Sequence, residues 1–142
     1  MKSARLDDIT YELRLDRGDD ILATVQQFCA DHHIDNAAVQ GIGSIEHLSL
    51  AHYSIETKQF TKRSFPGIYE IISLLGDVAL ADGQPLAHLH VSIAGPDLQA
   101  FGGHLMNGHC SATLELTLTA YPSHHTKSDH PDIGLKIWDF ES

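Results

Sequence analysis

Ile68-Tyr69-Glu70-Ile71-Ile72-Ser73-Leu74-Leu75-Gly76-Asp77-Val78-Ala79-Leu80, then Ala81-Asp82-Gly83-Gln84-Pro85, then His88-Leu89-His90-Val91-Ser92-Ile93 is the stretch whose pattern decides the fold. The first block is apolar and rich in strand-forming residues, so it predicts a central strand, with Gly76 as a point for a bulge. Asp82-Gly83 between two such runs is a hairpin signal that sends the chain directly back. In the returning block, alternation puts His88, His90 and Ser92 on one face and Leu89, Val91 and Ile93 on the other. The expectation is an antiparallel strand pair that aims two imidazoles together.

Downstream, Ala94-Gly95-Pro96-Asp97 holds strong turn residues, which let the chain double back and offer a third imidazole from Gly102-Gly103-His104. The two glycines permit a positive φ or a close approach of the chain before His104. Three neutral nitrogen donors suit a borderline divalent ion such as zinc, with a fourth position for water or a carboxylate. The same histidines also fit plain hydrogen bonding at a subunit contact or a polar sheet face, and both readings stand at this point. Ser111 to Ala120 predicts another strand, with Leu114, Leu116 and Leu118 inward and Glu115 on the polar face. Glu115 is a candidate to orient a ligand histidine or to act as a fourth ligand, and Glu115 or Glu70 could carry protons; a plain cross-strand pair is the competing role for Glu115. His109 shares strand parity with Glu115 and could substitute for one member of the triad.

Upstream, Tyr11 to Asp16 alternates as a half-buried strand, and Arg17-Gly18-Asp19-Asp20 turns the chain. Ile21, Leu22, Val25, Phe28 and Cys29 then recur as one face of an amphipathic helix to about Ala30, with Asp19 or Asp20 as its cap. Gly41-Ile42-Gly43 precedes a strand pattern rather than a helix, so it reads as a bulge or tight connection and not as a phosphate loop. Lys58 to Phe65 predicts a short exposed strand closed by Pro66-Gly67; Lys58, Lys62 and Arg63 could face phosphate or simply protect an edge. After Tyr121 a Ser/Asp/Pro-rich loop carries His124, His125 and His130 as surface residues, and Ile137-Trp138-Asp139-Phe140 is expected to dock through its apolar side chains. Many strands with one clear helix make an α+β domain on a largely antiparallel sheet.

At 142 residues the chain is one ordinary domain that needs no disulfide or structural metal to bury a core. Cys29 and Cys110 lie far apart and read as reduced, buried packing residues. No apolar run is long enough to cross a bilayer and the N-terminal residues lack a signal peptide's apolar segment, so the expected compartment is the cytoplasm. Nine basic against nineteen acidic residues give a net charge of -10, which opposes direct binding to a phosphate backbone.

Tyr69-Glu70-Ile71-Ile72-Ser73-Leu74-Leu75-Gly76, His88-Leu89-His90-Val91-Ser92, Gly102-Gly103-His104-Leu105, Gly108 and Glu115 together resemble the PPC domain (DUF296) of plants and prokaryotes. Gly18, the helix after it and Gly41-Ile42-Gly43 fit the same pattern, so the likeness spans residues 9–120 and leaves 121–142 as a tail docking on the domain. The resemblance implies a mostly antiparallel sheet flanked by helices, a homotrimer, and a metal at His88, His90 and His104. It also implies a DNA-binding or transcription-regulatory label, although the Arg-Gly-Arg-Pro core with which plant members enter the minor groove is absent from this sequence. The plant partner segment Gly-Arg-Phe-Glu-Ile-Leu is only partly matched by Pro66 to Ile72.

Three functions therefore remain at the level of sequence. One is a DNA-associated trimer acting weakly or through a partner, with Lys58, Lys62 and Arg63 as its basic strip. The second is a zinc-dependent hydrolase, lyase or small-ligand binder, in which the ion activates water. The third is a metal-stapled trimeric assembly module. An apolar cavity opening onto the histidines would favour the second.

Overall fold

The computed structural model describes residues 1–140. Its elements are β1 (Lys2–Arg5), β2 (Thr10–Asp16), α1 (Ile21–Asp31), β3 (Ala37–Ser54), β4 (Gln59–Ala81), β5 (Gln84–Ala94), β6 (Ala100–Ala120), β7 (Thr126–His130) and β8 (Leu135–Asp139). α1 starts where expected. The Asp20 carboxylate accepts from the Ala23 amide at 2.8 Å, using one of the donors that a helix start leaves free. Its apolar stripe, Ile21, Val25, Phe28 and Cys29, is fully buried and packs toward β5 and β6.

The pairs β3–β4, β4–β5, β5–β6 and β6–β3 are all antiparallel, so four long strands form a closed pairing circuit. β2 adds to the outer side of β6, and β1 to β2. Side-chain alternation then gives one buried layer: Leu13 and Leu15 from β2, Leu74 and Val78 from β4, Leu89, Val91 and Ile93 from β5, and Leu114, Leu116 and Leu118 from β6. Burying each such side chain contributes about 1.5–3 kcal/mol. Cys29 and Cys110 are unpaired and lie within this core. Burial pushes the Cys29 thiol up to about 12, so it stays protonated and inert at neutral pH.

Several sequence expectations need correction. The domain is not flanked by helices, because the described residues contain a single α-helix on one side of the sheet. Pro66-Gly67 does not end a strand; β4 runs through it, and the register against β3 skips from Leu48↔Phe65 to Glu46↔Ile68. The ladder omits Pro66, which has no amide hydrogen to give it. The bulge expected at Gly76 lies instead between Ile71 and Ser73, whereas the one at Gly41-Ile42-Gly43 is present.

The chain after Tyr121 is not a loop. β7 and β8 form a hairpin whose first residue, Thr126, lies parallel to Leu80 of β4. It is fastened by Asn36 Nδ2 donating to the His125 carbonyl at 2.8 Å and Tyr53 Oη donating to the Ile133 carbonyl at 2.7 Å. Trp138 and Phe140 remain about half exposed, packed on His125 and on each other rather than inserted in the core. No helix among the described residues is long and apolar enough to cross a membrane.

Candidate metal centre

Two residues apart on β5, His88 and His90 project from one face, and the β5–β6 register sets His104 directly opposite His90. The three rings form a nearly equilateral cluster with centroid separations of 5.1, 5.0 and 5.4 Å. One nitrogen from each lies within 4.8 Å of the others. Gly102 and Gly103 are inside β6 with no positive φ. Their contribution is the close approach: a Cβ at Gly103 would sit 3.0 Å from the Ala51 carbonyl oxygen.

Burial, and then the neighbouring His88, His90 and Lys127, push the His104 imidazolium down to about 4. Burial and then His88 lower His90 in the same direction. Both rings are thus neutral at physiological pH, with lone pairs free to bind a cation. Three convergent imidazole nitrogens fit the borderline donor set of zinc and similar divalent ions.

Asp77 of β4 is paired in register with His88, and its Oδ2 lies 3.6 Å from His88 Nδ1, an ion-pair approach longer than a formed hydrogen bond. Burial alone would raise the Asp77 carboxyl, but His88 and Lys127 outweigh it and hold the group below the usual carboxylate value. Lys127 Nζ donates to Asp77 Oδ1 at 2.5 Å from a side chain only 5% exposed. The strands come close enough for this because Gly76 has no side chain; a Cβ there would lie 2.0 Å from the His88 carbonyl oxygen. Asp77 escaped the sequence reading, although its signal was present. A hairpin closing at Ala81 and Gln84 puts Asp77 opposite His88. For Lys127 no such signal exists, since its place depends on how the C-terminal hairpin docks.

A cavity of about 720 Å³ opens onto the triad. Tyr53, Phe60, Leu86 and Leu135 give it apolar walls, and Lys127 and Lys136 reach it from the C-terminal hairpin. The Phe60 ring lies 5.5 Å from that of His104.

The other sequence candidates lie elsewhere. Glu115 pairs with Arg14 and Ile42 and lines separate cavities, eleven residues along β6 from His104. Glu70 is exposed on β4, opposite Ser44 and Ala94. His109 forms a bridge to Asp20 and packs 6.1 Å from His47, apart from the triad. Lys58 lies in a turn and donates to the Pro131 carbonyl at 2.7 Å, while Lys62 and Arg63, as neighbours on a strand, face opposite ways. The Arg63 guanidinium stacks over Phe65 and Phe101 at 4.7 and 4.8 Å. These three cations therefore form no single strip. His124 pairs with Asp35 at 2.8 Å, and His130 Nδ1 accepts from the Ile133 amide at 3.4 Å.

Residues 3–122 match the model of the Plants and Prokaryotes Conserved (PCC) domain. The chain belongs to the PCC domain family. Among solved structures, a plant- and prokaryote-conserved protein from Pyrococcus horikoshii is 28% identical with a TM-score of 0.86, over 99% of this chain and 95% of that one. A candidate DNA-binding protein from Bacteroides thetaiotaomicron is 27% identical with a TM-score of 0.91, over 97% and 96% of the two chains. A metal-containing protein from Archaeoglobus fulgidus is 26% identical with a TM-score of 0.85, over 96% and 100%. No curated protein matches. The PCC match ends before β7, so Lys127 and Lys136 come from beyond the family domain while all three histidines lie inside it.

Proposed function

We propose that this PCC-domain protein binds a divalent transition metal, zinc first among them, through His88, His90 and His104, and holds a small organic molecule in the adjoining cavity. The observation that carries the reading is the opening of a largely apolar cavity onto three convergent imidazoles. A bound ion would supply Lewis acidity toward a ligand oxygen, the chemistry of small hydrolases and lyases. Asp77 would hold the proton on His88 Nδ1 and leave Nε2 as the donor. Tyr53, Phe60 and Leu135 line the neighbouring space with apolar surface, so a ligand filling it would displace water and strengthen electrostatic contacts there. The Archaeoglobus relative, described as metal-containing, adds support from within the fold.

The test is cobalt substitution. Addition of Co2+ to metal-free protein should give the visible absorption of a low-coordinate nitrogen site, absent in His90→Ala and removed by chelator with the fold retained. A wild type without that absorption would overturn the metal reading, whereas a chelator-induced loss of assembly with no cavity ligand found would favour the metal-stapled assembly module.

A weak or partner-mediated association with DNA is the second reading, supported by the description of the Bacteroides neighbour. The charge of -10 and the dispersal of Lys58, Lys62 and Arg63 weigh against direct contact. Absence of a mobility shift at low salt would eliminate direct binding. Assembly as a homotrimer has support in Ile42, Ile72 and Leu75, which are exposed on neighbouring strands around one shallow surface. Light scattering on wild type and Leu75→Asp would test it.

A further inference from the structure

We propose that the cavity beside the triad selects a small organic carboxylate, and that the C-terminal hairpin supplies this selectivity through Lys127, assisted by Lys136. This inference rests on the metal-site reading for the role of the triad, but its charge argument concerns other residues.

Lys127 is more than nine-tenths buried and lines the cavity, an expensive place for an ammonium. An ammonium has three donors, and among the described residues Lys127 uses one, toward Asp77. The Trp138 ring lies 6.0 Å from the same ammonium, and the remaining donors belong to a buried cation on a cavity wall that is largely apolar. Lys136 lines the same wall, and its partners Asp82 and Asp129 are each 82% exposed, so those pairs are solvent-screened and easily exchanged. Asp77 is the one carboxylate in contact with the inner end of this wall, and it is already shared between His88 and Lys127. In a chain of net charge -10, this wall thus carries two ammonium groups, of which the buried one has a single carboxylate partner and the rim one has only exposed, solvent-screened partners. An anion with an apolar body satisfies both features, because its carboxylate takes the spare Lys127 donors while its body fills the space between Phe60 and Leu135.

The test is an NMR shift titration of zinc-treated protein with isovalerate and with its neutral analogue isovaleramide, alongside a zinc count on the same samples. Isovalerate is expected to bind about tenfold more tightly than the amide, and Lys127→Met to remove that preference while zinc content and circular dichroism stay unchanged. Removing the partner of Asp77 could prevent folding, so Lys136→Gln, at the cavity rim, is the companion variant. It is expected to weaken isovalerate about threefold and leave the amide unaffected. Equal binding of the two probes, no binding of either, or an unchanged preference in folded Lys127→Met overturns the inference; should that variant not fold, an unchanged preference in Lys136→Gln does so. Lys127-dependent isovalerate binding in protein that takes up no zinc supports the inference and overturns the metal reading. Zinc uptake without carboxylate preference does the reverse.

Discussion

The two sides of the cavity are built in different ways. The histidine side belongs to β5 and β6, strands inside a closed pairing circuit, where His90 and His104 are register partners and the backs of both strands are buried. The lysine side belongs to a hairpin joined to the sheet by one parallel pairing, at Leu80 and Thr126, plus a few side-chain hydrogen bonds. A site residue on the first side cannot move without shifting the core; one on the second moves with a peripheral unit. The three histidines thus sit on strands within the residues matched to the PCC domain and the two lysines on a hairpin outside them; on the proposed reading, the first region would hold the ion and the second would select what enters the cavity.

The largest disruption of the rigid side should come from Gly76→Ala. Its new Cβ would meet the His88 carbonyl and the Leu89 backbone, so β4 and β5 must part. The expected loss is about 3 kcal/mol or more in urea unfolding, together with loss of metal uptake. A melting curve like that of wild type would show that the strand approach does not constrain the site. Next, His90→Ala should fold normally and lose metal affinity by more than about a hundredfold, while changes at the hairpin rim, such as Lys136→Gln, leave that affinity intact. Asp77→Asn keeps the shape but not the charge facing His88. A tenfold to hundredfold drop in zinc affinity is expected by competition with a chromophoric chelator.

On the peripheral side, Tyr53→Phe removes the hydrogen bond to the Ile133 carbonyl and should cost about 1 kcal/mol. Amide exchange should accelerate in 126–139 and remain unchanged in β5; equal acceleration in both would merge the two regions into one cooperative unit. A further test of the histidine side concerns pH. Burial in the folded, metal-free protein holds the His104 imidazolium down to about 4, below its unfolded value of about 6.5. The unfolded chain therefore takes up protons first, and the stability tied to the neutral ring is present above about pH 6.5 and declines as pH falls toward about 4. His104→Asn should flatten that part of the profile of urea midpoint against pH.

Much of this was legible in the residues. The His88/His90 alternation, the Asp82-Gly83 hairpin, the helix from Ile21 and the burial of Leu114, Leu116 and Leu118 are local patterns, and local patterns survive folding. Membership of the PCC family was legible for the same reason, since its motifs keep their order and spacing. Other features lay outside local patterns. Pro66-Gly67 looks like a strand end, yet a bulge absorbs it because pairing on both sides of it outweighs one lost ladder bond. Glu115 has the right chemistry to support a histidine, but strand length carries it away from the triad, and the register brings Asp77 there instead. The β7–β8 hairpin pairs residues with weak strand propensity, so Lys127 reaches the cavity through tertiary docking that no local pattern encodes.

The central claim is that His88, His90 and His104 hold a metal ion, and elemental mass spectrometry of untagged wild type and the His88→Ala/His90→Ala double variant tests it most directly. The account predicts about one zinc or similar ion per chain in the wild type after incubation with zinc, and none in the folded double variant. A wild type that stays metal-free after that incubation would contradict it.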